Sequence, residues 1–289
     1  MNREKLQIYR MRRRIGIGFD ILFKIAVIII FTFPFYWMLI TSMKTYLDSI
    51  KFPPSMWPSI FDFTGYEKVF RDPYLVKYIW NTIIITVAIM LIEFVTVIPC
   101  SYALAKYDFM GNSIVWILIM AAKMIPTVIT FIPVYIMFAK WRVGGTNVLN
   151  TLWPQILPFG TSAFNIFLLR QNFKQIPEEI IESARLDNAS ELKIMYKVML
   201  PMAKSTIITI LLLTFISHWN AYFWPLVMTN TKDLQPIAVA IARLREVEHN
   251  VIYWPKVMAG CMVMTAPVLI LFFGFSKKII ASMAYRGVK

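Results

Sequence analysis

Cysteine and histidine are close to absent. The 289 residues hold Cys100 and Cys261, both inside apolar runs, and His218 and His249, and none of the four has metal-ligand spacing. No zinc or redox site is therefore expected. Also missing are a G-x-x-x-x-G-K-[ST] cradle for nucleotide phosphates, a His-Glu-x-x-His helix and a Gly-x-Ser-x-Gly elbow. Without them no catalytic residue, metal or bound cofactor is assigned. Charge is scarce as well: 16% of residues are charged against 58% hydrophobic, a composition that excludes a soluble globular domain. No internal repeat, low-complexity tract or coil linker divides the chain.

Negative charge is the scarcer sign, and the formal net charge is +14. The lysines and arginines are scattered in loops between apolar runs, so the excess is topological and lipid-facing, and a nucleic-acid partner is disfavoured. Six apolar stretches approach the roughly 20 residues needed to cross hydrocarbon: about 25–43, 79–104, 113–138, 148–169, 205–228 and 257–276. The expected fold is an all-α polytopic membrane protein, with a basic tail at 1–24, six transmembrane helices over 25–276 and a second tail at 277–289. The apolar run after the first tail is too long for a secretory signal and reads as a retained span. Outside the spans, eighteen basic residues fall on one side and eleven on the other. The richer side is taken as cytoplasmic, with both termini there and the tail held against anionic lipid.

The longest polar interruption in the second half is IPEEIIESARLDNASELKIMYKVMLP, residues 176–201, which contains five of the sixteen carboxylates. Pro177 suits a first helical position, and Glu178, Glu179 and Glu182 lie near the positive end of that helix. Asn188 can adopt the left-handed conformation that ends a helix, and Ser190 with Glu191 can start the next. Leu192, Met195, Tyr196 and Met199 then share one face, and Pro201 halts the second helix. A compact helix-turn-helix with an oily docking face, outside the lipid, is expected.

Glu182, Ser183, Ala184, Asn188, Val198, Leu200 and Pro201 resemble the EAA loop of binding-protein-dependent ABC importer permeases, of the carbohydrate-uptake type similar to the maltose-transporter inner-membrane permeases. Ser183 replaces an alanine of that pattern and Asn188 its glycine. FPFYWMLITSMKT at 33–45 and SHWNAYFWPL at 217–226 resemble the same family, although Ala221 stands where an acidic residue often follows Trp-Asn. The resemblance implies a type I ABC importer-like fold in a bacterial-type cytoplasmic (inner) membrane. It implies a cytoplasmic ATP-binding subunit carrying ATP and Mg, a second and homologous permease subunit, and an extracytoplasmic substrate-binding protein. The coupling residues would be Glu182, Ser183, Ala184, Asp187, Asn188, Leu192, Met195, Leu200 and Pro201. The loop at 229–255, with Arg243, Arg245, Glu246, Glu248 and His249, would meet the binding protein.

A solute path is sought among polar groups within the spans, because burying an ionisable side chain in lipid is costly unless it is paired or wet. Counted from the cytoplasmic ends, Glu93 and Lys123 both fall about 15 Å deep. They either pair with each other, or Lys123 faces a wet cavity and attracts an anionic group on the cargo. Asn165 either joins helices or lines the path. His218, Trp219 and Asn220 combine hydrogen-bonding edges with an aromatic face, as a sugar ring requires, or they anchor and pack a helix near the interface.

Three classes of function compete. An import permease fits the missing phosphate cradle and the loop; a secondary transporter would show paired, Gly/Pro-interrupted halves; an intramembrane enzyme lacks its motifs. The expected cargo is an oligosaccharide, an acidic one included, with a non-sugar solute such as a polyamine as the alternative.

Overall fold

The computed structural model describes residues 3–245 and 251–284, with side chains described over 16–245 and 251–275. The chain forms two compact units: residues 1–71 with 244–263, and residues 72–243 with 264–289.

The first unit begins with α1 (Arg3–Ser42), followed by α2 (Tyr46–Ser49) and α3 (Thr64–Phe70). Within α1, Gly16–Ser42 is long and apolar enough to cross a membrane, and little of it is buried. The segment after α1 is organised by two buried charged side chains, Lys44 and Asp48. Lys44 is 1% exposed, its Nζ donates to the Ser55 carbonyl and it lies 4.6 Å from the centre of the Trp37 ring. The carboxylate of Asp48 accepts the Ser59 amide and the hydroxyls of Ser55 and Ser59. Those bonds hold its pKa below the ordinary aspartate value. Gly65 is required by close approach: a Cβ there would lie 2.7 Å from the Pro255 carbonyl oxygen.

The second unit is built on α4 (Leu75–Lys106), a continuous membrane-length helix with Pro99 inside it. It continues with α5 (Asn112–Met124), α6 (Thr127–Lys140), a β1–β2 hairpin (Arg142–Val143 and Thr146–Asn147), α7 (Trp153–Ile156) and α8 (Ala163–Lys174). Then come α9 (Glu178–Leu186), α10 (Glu191–Lys193), a π-helical turn over Ile194–Met199 and α11 (Leu200–Met202). The chain ends in α12 (Lys204–Trp219), α13 (Phe223–Met228), α14 (Ile237–Arg243) and α15 (Trp254–Ala284), whose first residues belong to the other unit. The main core of this unit joins Val97, Ile98 and Tyr102 of α4 to Leu169 and Phe173 of α8, Ile181 of α9, Met195 and Met199 of the π turn and Ile210 of α12.

Six unbroken spans are not what forms. Among the described residues, three helices, Gly16–Ser42, Leu75–Lys106 and Trp254–Phe275, are each long and apolar enough to cross, and the number reaches five if each of two bent pairs is one span. The stretch expected at 113–138 bends by 96° between α5 and α6. Pro126 forces the residue before it out of the helical region, and Ile125 is extended, with φ −74 and ψ 119. The stretch expected at 148–169 is no continuous helix. Pro154 and Pro158 bracket one short turn, and a new start follows at Ser162, whose hydroxyl caps the Asn165 amide of α8. The stretch expected at 205–228 ends its regular part at Trp219 and resumes at Phe223. Before α12, the chain turns by 84° from Glu191–Met202, which leaves Lys204–Trp219 as the apolar arm.

Candidate functional site

Three helices of the second unit place one polar side chain each at a common point. Glu93 of α4 is 5% exposed. Its carboxylate accepts Asn165 Nδ2 of α8 at 3.1 and 3.2 Å and the Thr214 hydroxyl of α12 at 2.6 Å. A buried carboxylate keeps its place only with such donors, because an unmet acceptor costs about 1–3 kcal/mol. Beside this cluster lies a cavity of about 320 Å³ walled by Glu93, Asn165, Thr214, His218, Phe159 and Phe164. The His218 and Phe159 rings stand 5.0 Å apart. The site thus combines acceptors and donors for hydroxyl groups with two aromatic rings, which is the chemistry a hydroxylated ring can use.

The structure brings together Glu93, Asn165 and His218 and leaves the other expected residues elsewhere. Lys123 does not pair with Glu93. It is exposed near the end of α5, with Nζ 4.4 Å from the ring centre of Phe164, a cavity wall, and 5.6 Å from that of Phe167. Equal depth on α4 and α5 did not make them neighbours: α8 supplies Asn165 to Glu93 and Phe164 and Phe167 to Lys123. Trp219 is 3% exposed and its Nε1 donates to the Met264 carbonyl at 2.9 Å, so it anchors a neighbouring helix and does not line the cavity. Asn220 is exposed and its Nδ2 turns back to the Ile216 carbonyl at 2.8 Å. Sequence reasoning missed Phe159, Phe164 and Thr214. Thr214 precedes His218 by four positions, the spacing that puts both on one helix face.

The polar elbow takes the expected local form. Pro177 caps α9, Asn188 is left-handed at φ 55, and the Ser190 hydroxyl accepts the Lys193 amide at the start of α10. Its oily stripe, however, points inward: Met195 and Met199 are buried in the chain's own core, and only Leu192 of the four is largely exposed. The outward edge carries Glu182, Ser183, Asp187, Asn188, Pro201 and Leu186, the last 84% exposed, while Ala184 and Leu200 are half-buried. The elbow is tied to α4 at two points. Lys106 Nζ donates to the Ile176 carbonyl at 2.8 Å and to Glu178 at 2.9 Å. Glu191 accepts the Tyr102 hydroxyl at 2.6 Å and Arg185 Nε at 2.9 Å. The tyrosine hydroxyls of Tyr102 and Tyr107, and then Arg185, pull the Glu191 carboxyl down to about 2. Glu246, Glu248 and His249, expected to meet a binding protein, lie outside the described residues, as do the side chains of residues 1–15 and 276–289.

Apolar helices gathered around a small mixed cavity, with a pinned polar elbow beside them, define a membrane transport subunit. The chain belongs to the family described as binding-protein-dependent transport system inner membrane component, which it matches over residues 97–284. It is thus the membrane permease of a transport system that works with a binding protein, and this family is one of permeases, not enzymes. Among its relatives is the arabinooligosaccharides transport system permease protein of Bacillus subtilis (strain 168), 24% identical over 271 residues, with 93% of this chain and 94% of the relative covered. Another is the diacetylchitobiose uptake system permease protein of Streptomyces coelicolor, 25% identical over 275 residues, covering 94% of this chain and 88% of the relative. Among solved structures, a bacterial ABC transporter involved in the import of the acidic polysaccharide alginate superposes with a TM-score of 0.80 at 25% identity, covering 93% of this chain and 97% of that one.

Proposed function

We propose that this chain is one of two homologous permease halves of an ATP-driven importer for an oligosaccharide. The observation that carries the cargo reading is the cavity in which Glu93, Asn165, Thr214 and His218 face Phe159 and Phe164, and the names of the relatives agree with it. Lys123 against Phe164 favours an acidic saccharide, because it adds a cation beside a cavity wall, and alginate, the cargo of the similar transporter, is acidic. A sugar path enclosed by one chain's helices would be incomplete, which is why a second permease subunit is part of the reading. Six crossings are assigned to α1, α4, α5 with α6, α7 with α8, α12 with α13, and α15. Residues 1–24 and 277–289 flank the 25–276 permease domain on the cytoplasmic side.

Energy comes from a cytoplasmic ATP-binding subunit that holds ATP and Mg and grips the elbow at 176–201 through Glu182, Ser183, Asp187, Asn188 and Leu192. Nucleotide binding closes the ATPase pair, the elbow moves with it, and α8 and α12 tilt so that the cavity opens outward to a loaded binding protein. Such a shift requires the elbow to bind the closed ATPase more tightly than the open one. The test is uptake of labelled oligosaccharides into proteoliposomes holding the assembled transporter and its binding protein. Phe159→Ala is expected to cut saccharide uptake at least about tenfold, as loss of an aromatic platform of about 1.5 kcal/mol would. Unchanged uptake, or uptake without ATP, overturns the reading.

A further inference from the structure

At the Lys106 end of α4 a second cavity, of about 460 Å³, opens between the end of α4, the start of α5 and the last turn of α8. The transport reading makes no use of it. Its walls include Arg170, Lys174, Asp108, Ser113 and Ile114. Two cations against one carboxylate leave an excess of positive charge.

The start of α5 adds to that excess. Its cap is Gly111, at φ 97, no side chain caps it, and its first turn holds no acidic residue. The Asn112 amide bonds to Phe109 and that of Val115 to Gly111. The amides of Ser113 and Ile114, both at the cavity, have no partner among the described residues. Free amides at the positive end of a helix are donors for an anion.

Arg170 is the second, independent sign. It is only 9% exposed, its Nε donates to the Leu104 carbonyl at 3.1 Å and its guanidinium carbon lies 3.9 Å from the centre of the Trp116 ring. Held in this way at Nε and over the ring, it has no partner for either terminal amino group among the described residues, while its side chain forms part of the cavity wall. A buried fork of this kind matches a phosphate or carboxylate.

The surroundings say which anion. At the cavity the apolar run of α4, which ends with Leu104, gives way to Lys106 and Asp108, the change from apolar to charged side chains that marks where hydrocarbon gives way to headgroups. From it an apolar face of α5 runs on through Ile114, Ile117 and Leu118, each more than 60% exposed. We propose that this cavity binds the phosphate of an anionic phospholipid, which the Arg170 guanidinium, Lys174 and the Ser113 and Ile114 amides hold while its acyl chains lie along Ile114, Ile117 and Leu118.

The experiment uses the assembled transporter in nanodiscs of phosphatidylcholine with or without phosphatidylglycerol. Native mass spectrometry of the released complex reads the retained lipid and a thermal melt reads stability. Wild type is expected to retain phosphatidylglycerol and to melt higher with it. Ser113→Asp puts a carboxylate into the site at a helix position that favours negative charge, so it folds while competing with the lipid. Retention is expected to fall about tenfold, or about 1.4 kcal/mol, and Lys174→Gln should lower it in the same direction. Equal retention by wild type and Ser113→Asp overturns the proposal, as does a wild-type complex indifferent to phosphatidylglycerol, the result if a partner subunit fills the cavity. Inorganic phosphate reproducing the stabilisation in phosphatidylcholine alone would make this a free-anion site and overturn the lipid assignment.

Discussion

Thr214 donates its hydroxyl to a Glu93 carboxylate oxygen at 2.6 Å, joining two helices whose residues lie 121 positions apart. Asn165 reaches the same carboxylate from a third helix. Thr214→Val leaves one acceptor oxygen short of a donor in a buried place, at a cost of about 1–3 kcal/mol. A thermal melt of the purified transporter should fall accordingly. In a double-mutant cycle with Asn165→Ala the two costs should not add, because both side chains serve one carboxylate.

Glu191 makes the elbow sensitive to acid. Its pKa in the folded chain is about 2, below the ordinary 4.5. Its contribution is therefore fully present above about 4.5 and is lost as pH falls from there toward about 2. Protection factors of residues 178–202, that is, exchange corrected for the intrinsic rate at each pH, should fall over that window in the wild type. Glu191→Gln should abolish the pH dependence of that step while raising exchange at neutral pH.

Asn188 holds a positive φ of 55 between the two arms of the elbow. Asn188→Gly should be tolerated or slightly stabilising, whereas Asn188→Val, branched at Cβ, should cost about 1–2 kcal/mol. Limited proteolysis at the elbow is the readout, and equal cleavage of the two variants would contradict the turn.

Glu182 stands exposed on the outward edge of α9 and forms no ion pair among the described residues. Glu182→Lys should leave the fold intact. In proteoliposomes it should uncouple ATP hydrolysis from uptake, with the ATPase no longer stimulated by loaded binding protein. Normal coupling would remove the elbow from the transmission path.

What could be read from the sequence follows a physical line. The elbow was legible because Pro177, Asn188 and Ser190 act on their own few neighbours, and the structure uses each as a start, turn or cap. The long helices at α1, α4 and α15 were legible from length and apolarity. Hydropathy alone hid the breaks around Pro154 and Pro158, because it weighs what a residue prefers to touch and ignores what its backbone permits. Depth along a helix says nothing of which face meets which neighbour, and so the Lys123 and Glu93 pairing failed: α8 lies between them, giving Asn165 to Glu93 and Phe164 to Lys123. Trp219 could not be placed from a helix period alone, since its role depends on the Met264 carbonyl, 45 positions away. Thr214 was silent because a threonine in an apolar run can satisfy its own hydroxyl on the preceding turn.

Glu93 and Tyr102 belong to the same helix, and Pro99 lies between them. The ring removes one rung of the ladder there, the bond that would have reached back to Val95. A stiff rod would carry a tug on Tyr102 straight to the carboxylate as a push along its axis. With a weak link so near the grip, the same tug would become a change of angle, and the small cavity would feel its wall swing where it would otherwise have felt it slide.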